Sequence, residues 1–176
     1  IVANVYDLAD RLVQSTDERG IRTTFEYDAV GNQTARTEAV GTADEAKTTF
    51  TYDEVNRLKS EADALGQTTS YGYDAVGNRT STVEPNGQTT TTTFDALDQI
   101  ETVTDAAGKS VSNTYDAAGN AVREVDANNR ARVDYYDRNN RLVLTIDPAG
   151  FAESYTYDAA GNLASNTRHA TKVTLP

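Results

Sequence analysis

The chain alternates short mixed runs of apolar and polar residues with clusters of Asp, Asn and Gly that recur every ten or eleven residues. Within the runs, like residues stand two apart: Leu142, Leu144 and Ile146, or Phe25 with Tyr27, Phe50 with Tyr52, Tyr71 with Tyr73, and Tyr155 with Tyr157. A period of two marks a β-strand, whose successive side chains point to opposite faces. The runs are about six residues long, which is strand length and too short for typical helices. Thr-rich stretches such as Thr89 to Thr93 add β propensity and lower helix propensity. The pattern predicts an all-β chain of strands joined by tight turns, with the aromatic pairs as its main packing units.

The clusters keep a strict frame. An aromatic followed by Asp recurs at Tyr6-Asp7, Tyr27-Asp28, Tyr52-Asp53, Tyr73-Asp74, Phe94-Asp95, Tyr115-Asp116, Tyr136-Asp137 and Tyr157-Asp158, always 21 residues apart except for one spacing of 25. With the aromatic at position 0, position 11 is acidic: Asp17, Glu38, Asp63, Glu84, Asp105, Asp126 and Asp147. Position 14 is Gly20, Gly41, Gly66, Gly87, Gly108, Asn129 and Gly150. Position 4 alternates between Asp or Asn (Asp10, Asn56, Asp98, Asn140) and Gly (Gly31, Gly77, Gly119, Gly161). An acid at the first and Gly at the fourth place match a type I turn, and Pro85 and Pro148 occupy the favoured second place.

Each repeat therefore reads as two strands and two turns, and eight tandem repeats are expected over 1–166, with a four-residue insertion around 43–46. Arg168 and Thr171 stand where the next acid and Gly belong, so 167–176 is expected to be an irregular tail. Odd repeats carry pairs such as Asn56-Arg57 and even ones pairs such as Gly77-Asn78, which implies two alternating turn geometries.

Composition limits what such strands can build. Leu, Ile, Val and Phe make up 18% of the 176 residues, and the net charge is −11, too little aliphatic material for a filled two-layer core. Sixteen strands about 4.8 Å apart form a ribbon roughly 75 Å wide, and open sheets beyond about ten strands usually curl. The expectation is a curled or spiral single-layer antiparallel sheet around a wet interior. No apolar run approaches the ~18 residues of a membrane helix. Thr, Ser, Arg and Glu interrupt the lipid-facing band that a membrane barrel requires. Clustered Lys and Arg for nucleic acid are absent, as are cysteines. The chain opens at Ile1 rather than Met and reads as a fragment.

Tandem Tyr-Asp-x-x-Gly-Asn and Tyr-Asp-x-x-Asn-Arg-Leu units, each followed by Asp-x-x-Gly, resemble the YD repeats of the bacterial Rhs family, of the BC subunits of insecticidal Tc toxin complexes, and of animal teneurins. The resemblance implies one long sheet wound into a hollow shell. It implies a secreted or cell-surface protein and, as partner, an enclosed or adjacent domain of the same polypeptide such as a C-terminal toxin. The alternative is an extracellular adhesion module that binds glycans or a cell-surface protein. Asp147-Pro148-Ala149-Gly150 looks like the boundary element that precedes such toxins, but a further repeat follows it and it reads as an ordinary turn.

The remaining chemistry weighs toward structure. The recurrent acids match calcium ligands in type, yet each heads its own turn, so capping is the preferred reading. Repeated aspartates present no unique pair for glycoside hydrolysis. His169, the single histidine, lies in the expected tail and supports neither a triad nor a metal site. The glycosylation signals Asn32-Gln33-Thr34 and Asn78-Arg79-Thr80 fall where the repeat itself places Asn. Tyr135 and Phe151 are the only aromatics outside frame positions, and the insertion near Ala43 to Lys47 is the loop most suited to a partner contact. The chain is expected to be non-enzymatic, without catalytic, cofactor-binding or metal-binding residues, and its site residues are the structural frame: the eight aromatic-Asp pairs with Gly20, Gly41, Gly66, Gly87, Gly108 and Gly150.

Overall fold

The computed structural model describes residues 3–173. All sixteen elements are strands: β1 Ala3–Tyr6, β2 Leu12–Thr16, β3 Arg22–Tyr27, β4 Gln33–Glu38, β5 Ala46–Tyr52, β6 Leu58–Ala62, β7 Thr68–Tyr73, β8 Arg79–Val83, β9 Thr89–Phe94, β10 Ile100–Thr104, β11 Ser110–Tyr115, β12 Ala121–Val125, β13 Ala131–Tyr136, β14 Leu142–Ile146, β15 Phe151–Tyr157 and β16 Leu163–Lys172. They follow one another in sequence order in one antiparallel sheet. Two compact units divide the chain, the first ending at Thr89 and the second beginning at Thr90. Each is a meander of consecutive hairpins.

Register assigns the faces, because residues directly opposite in neighbouring strands share a side. In the first unit one face carries short side chains: Thr24 opposes Thr37, Ala35 opposes Thr49, Ser60 opposes Ser70, and Gly72 opposes Ser81. The other carries long ones: Phe25 opposes Arg36, Phe50 opposes Glu61, and Tyr71 opposes Thr82. In the second unit Val133 opposes Ile146, which opposes Ala152, while Asp134 on the reverse face opposes Thr145, which opposes Glu153.

Among the described residues no second layer covers either face. The accessible surface is 11625 Å², against about 8,400 Å² for a compact protein of this mass. Among the described residues only Ala35, Thr37, Ile146, Gly150 and Ala152 are buried. Ala35 and Thr37 owe their burial to an ion pair laid across β4, in which Lys47 Nζ on β5 reaches Glu26 Oε1 on β3 at 2.7 Å. Both partners share the face of the two small residues and roof them with their methylene stems.

One expectation is corrected. The spacing predicts an irregular tail from Thr167, whereas β16 continues to Lys172, pairing Ser154 with Thr167, Glu153 with Arg168, and Phe151 with Lys172. Arg168 and Thr171 do remove the turn signals, and without a turn the strand runs on along β15, with an irregularity between Phe151 and Glu153 that absorbs the extra length. Residues 174–176 of that expected tail lie outside the described residues.

Candidate functional site

The frame residues assemble into two rows of turns, one along each edge of the sheet. In the first turn, Asp10 N donates to Asp7 O at 3.1 Å and Asp7 N donates to Arg11 O at 3.0 Å. Asp10 itself has φ 58°. This is a type I turn followed by a left-handed residue, the three-residue hairpin loop that leaves a bulge in the strand. The bulge is seen where Val5 and Tyr6 meet β2. The left-handed place explains why position 4 is Asp, Asn or Gly: Gly has no Cβ to clash, and short Asx side chains tolerate the conformation.

The Asp carboxylates close these loops from within. Asp7 Oδ1 accepts the N–H of Ala9 at 2.8 Å and of Arg11 at 3.0 Å. Asp28, Asp53, Asp74, Asp95, Asp116, Asp137 and Asp158 cap the N–H groups two and four residues on in the same way. On the opposite edge so do Asp17, Asp63, Asp105, Asp126 and Asp147. The backbone N–H of Arg11 and of Arg57 holds the Asp7 and Asp53 carboxyls below their ordinary range. Side-chain donors lead for Asp137, held down by Arg141, and Asp158, held down by Asn162.

Two acids depart from this role. Glu38 ends β4 instead of heading a turn, because the insertion moves the turn to Ala39–Thr42, where Thr42 N donates to Ala39 O at 3.1 Å. Gly41 keeps its left-handed place at φ 80°, and its N–H is bound by Glu45 Oε2 at 2.7 Å. Glu84 does head a turn, with Gly87 N donating to its carbonyl at 2.8 Å, but the side-chain cap of Gln88 N comes from Asn86 Oδ1 at 2.9 Å.

The two alternating turn types have distinct work between repeats. In the first, third and seventh repeats an Arg at position 5 binds its own turn and reaches the next repeat, while the fifth repeat has Gln99 there. Arg57 Nε meets Asp53 Oδ2 at 2.7 Å, its Nη1 donates to Asp74 O at 2.8 Å, and its guanidinium lies 4.7 Å from the ring centre of Tyr73. Arg11 repeats all three contacts with Asp7, Asp28 and Tyr27, and Arg141 pairs with Asp137 beneath the ring of Tyr157. In even repeats a shorter Asn does the bridging: Asn32 Nδ2 donates to Asp28 Oδ2 and to Asn56 Oδ1, each at 2.9 Å, and Asn120 Nδ2 likewise reaches Asn140 Oδ1 at 3.1 Å. Position 4 supplies the acceptor where an Asn arrives, as Asn56 does in the third repeat and Asn140 in the seventh.

The frame tyrosines lock the same edge. Tyr27 donates its phenol to Leu12 O, Tyr52 to Gln33 O, Tyr73 to Leu58 O, Tyr115 to Ile100 O and Tyr157 to Leu142 O, each at 2.9 Å, and Tyr136 to Ala121 O at 3.3 Å. Each acceptor opens the strand immediately before the tyrosine's own. Tyr6 accepts from Asn4 at 3.4 Å, and Phe94 has no hydroxyl to offer.

The other singled-out residues find local partners. Asn32 of the first glycosylation signal is held by Asp28 and Asn56. His169 Nε2 lies 3.0 Å from Ser154 Oγ on β15. Asp147 to Gly150 forms a capped turn like its equivalents. No group of three or more His, Asp or Glu suited to a metal ion occurs among the described residues. Sequence reasoning passed over one cluster: Asp134 occupies the place that Phe25, Phe50, Tyr71 and Tyr155 hold in other repeats, and is bound there by Arg132 and by the hydroxyl of Thr145. Its departure from the frame was the available signal.

These features define a tandem-repeat β-sheet protein whose chemistry is concentrated in its turns. The RHS Repeat family model matches residues 6–43, 52–89, 74–110, 94–131, 115–152 and 136–174, and the chain belongs to that family. Its fold is similar to that of the Tc holotoxin pore of Photorhabdus luminescens, with TM-score 0.58 and 16% identity over 98% of this chain and 11% of that one. The crystal structures of TcdB2-TccC3-Cdc42 (TM-score 0.58, 16% identity, 98% of this chain and 12% of that one) and TcdB2-TccC3-TEV (0.56, 17%, 99% and 12%) are similar to the same degree. The chain thus spans 11 to 12% of the length of the structures it matches. No curated protein matches the sequence.

Proposed function

We propose that this segment is wall: part of an Rhs-type shell that encloses or presents another domain of the same polypeptide, such as a C-terminal toxin, in a secreted or surface-exposed protein. The observation that carries the reading is a regular sheet with both faces uncovered and only four buried side chains among the described residues. Such a layer gains little from its own interior and much from each added repeat, as solenoids do. On this reading 1–166 are eight wall repeats, the aromatic-Asp pairs and turn glycines serve structure alone, and the segment is non-enzymatic and takes no cofactor.

The test uses the full-length natural protein. Imaging should show a hollow particle, and limited proteolysis should spare the C-terminal domain until the wall is opened. A solid core, or a C-terminal domain cleaved as fast as when expressed alone, overturns the reading.

One observation favours adhesion to a glycan as the second reading. Tyr135, an aromatic outside the frame, is 45% exposed and borders an open hollow of about 470 Å³ with Arg123, Val133 and Asp134. An aromatic face beside fixed polar groups suits a sugar ring. Glycan-array binding that Tyr135→Ala abolishes would move this reading to first place.

A further inference from the structure

One face of the second unit departs from the repeat at two neighbouring places. Thr114 opposes Arg123, which opposes Val133, and Tyr135 stands two residues on from Val133, so the four share a face. The place of Arg123 holds an uncharged residue in every other repeat, among them Ser60, Ser81 and Thr102. The place of Tyr135 carries no other aromatic and is Thr51, Thr93, Thr114 and Thr156 in four of the repeats. An Arg and a Tyr thus stand on adjacent strands, β12 and β13, where the frame sets mostly short side chains. Both border the open hollow of about 470 Å³. Strand geometry asks for neither residue, and places where a sequence breaks its own local rule are expected to be functional. Arg123 is exposed and makes no ion pair among the described residues, whereas Arg132, on the reverse face of β13, is held by Asp134.

We infer that this hollow takes a sugar acid, a terminal sugar ring bearing one carboxylate, with the carboxylate on Arg123 and the ring against Tyr135. The inference rests on the adhesion reading and adds to it the class of sugar. A guanidinium presents N–H donors in a fixed fork that matches a carboxylate. The Tyr135 ring offers an apolar face to the C–H face of a sugar, Val133 adds apolar ground beside it, and Thr114 adds a hydroxyl. Charge narrows the ligand further. Polysulfated or polyphosphorylated chains are held by clustered Lys and Arg. Here Arg123 is the one cation among the lining residues, Asp116 and Asp134 border the same hollow, and the chain carries a net charge of −11. One carboxylate matches Arg123, while a second anionic group would meet the aspartates. A neutral sugar would gain the ring contact and leave the guanidinium unmatched. The volume lies toward the small end of the ~300–1,000 Å³ of ligand sites, which suits one terminal residue.

The test probes one array of sialylated, uronic-acid-terminated, sulfated and neutral glycans with the full-length natural protein and with its Arg123→Gln, Tyr135→Ala and Arg19→Gln variants. All three positions are exposed, and Arg19 lies in a turn of the first unit, so the variants should melt with the natural protein. Carboxylate-bearing termini should be retained about tenfold or more over their neutral counterparts. Arg123→Gln should erase that preference and leave weak retention through the ring, Tyr135→Ala should abolish retention of both classes, and Arg19→Gln should change nothing. Equal retention of neutral and acidic glycans, or an acidic preference that survives Arg123→Gln, overturns the inference and leaves adhesion standing where Tyr135→Ala still abolishes binding. A preference for sulfated glycans overturns it as well. Failure to retain any glycan sinks the adhesion reading and this inference with it.

Discussion

The phenol of Tyr27 donates to the carbonyl of Leu12 at 2.9 Å, fifteen residues earlier and one strand away. That single bond ties a frame aromatic to the start of the preceding strand, while Arg11 packs its guanidinium 4.8 Å from the centre of the same ring. Tyr27→Phe keeps the ring and loses the bond, as Phe94 does naturally in the fifth repeat. The expected cost is about 1 kcal/mol, read as a lower urea midpoint with an unchanged slope. Tyr27→Ala, which also removes the ring, should cost clearly more.

Arg57 makes three contacts that depend on the planar guanidinium. Lys can retain one of them at a time, so Arg57→Lys should destabilise by about 1 to 2 kcal/mol. Arg19 touches only its own Asp17 and its side chain is 85% exposed, so Arg19→Lys should stay within about 0.5 kcal/mol. Equal effects in the same denaturation assay would contradict the assignment of Arg57 as a link between repeats.

Asp105 accepts the N–H groups of Ala107 and Lys109, each at 2.9 Å. Asp105→Ala leaves both without their side-chain partner and should lower stability by about 1 kcal/mol. Because these oxygens are engaged by backbone, EDTA should leave the melting temperature unchanged and millimolar calcium should not raise it. A large calcium-dependent rise would make the turn acids ligands.

Acid should weaken the sheet in a defined direction. The carboxyls of Asp7, Asp17, Asp53, Asp116, Asp126, Asp137 and Asp158 are held below their ordinary range. Below the unfolded value of about 3.9, the unfolded chain binds protons that the folded one still refuses. Stability is therefore complete above that value, and it falls as pH drops through it toward the depressed folded values. Melting temperature followed from pH 7 downward should be level at first and decline below about pH 4. A decline that starts near pH 6 would point to other groups.

The sequence by itself determined the strand count, the turn positions and their conformation, because these are local. An Asp two and four residues before the N–H groups it caps, and a Gly, Asn or Asp in a left-handed place, act within five residues and can be read from spacing alone. Side-chain alternation is equally local, so the pairing of Phe25 with Tyr27 on one face was legible. What the tertiary structure decided are the relations between strands. Whether Glu84 or Asn86 caps its turn depends on side-chain length against a folded loop. The reason for two alternating turn types lies in Arg57 spanning to Asp74 and Tyr73, and in Asn32 spanning to Asn56, distances that spacing cannot show. Ala35 and Thr37 are buried where Lys47 and Glu26, from strands on either side, pair across them. β16 extends past the last turn signal because β15 stands beside it with unpaired backbone groups, and a neighbour's hydrogen bonds outweigh the loss of the frame.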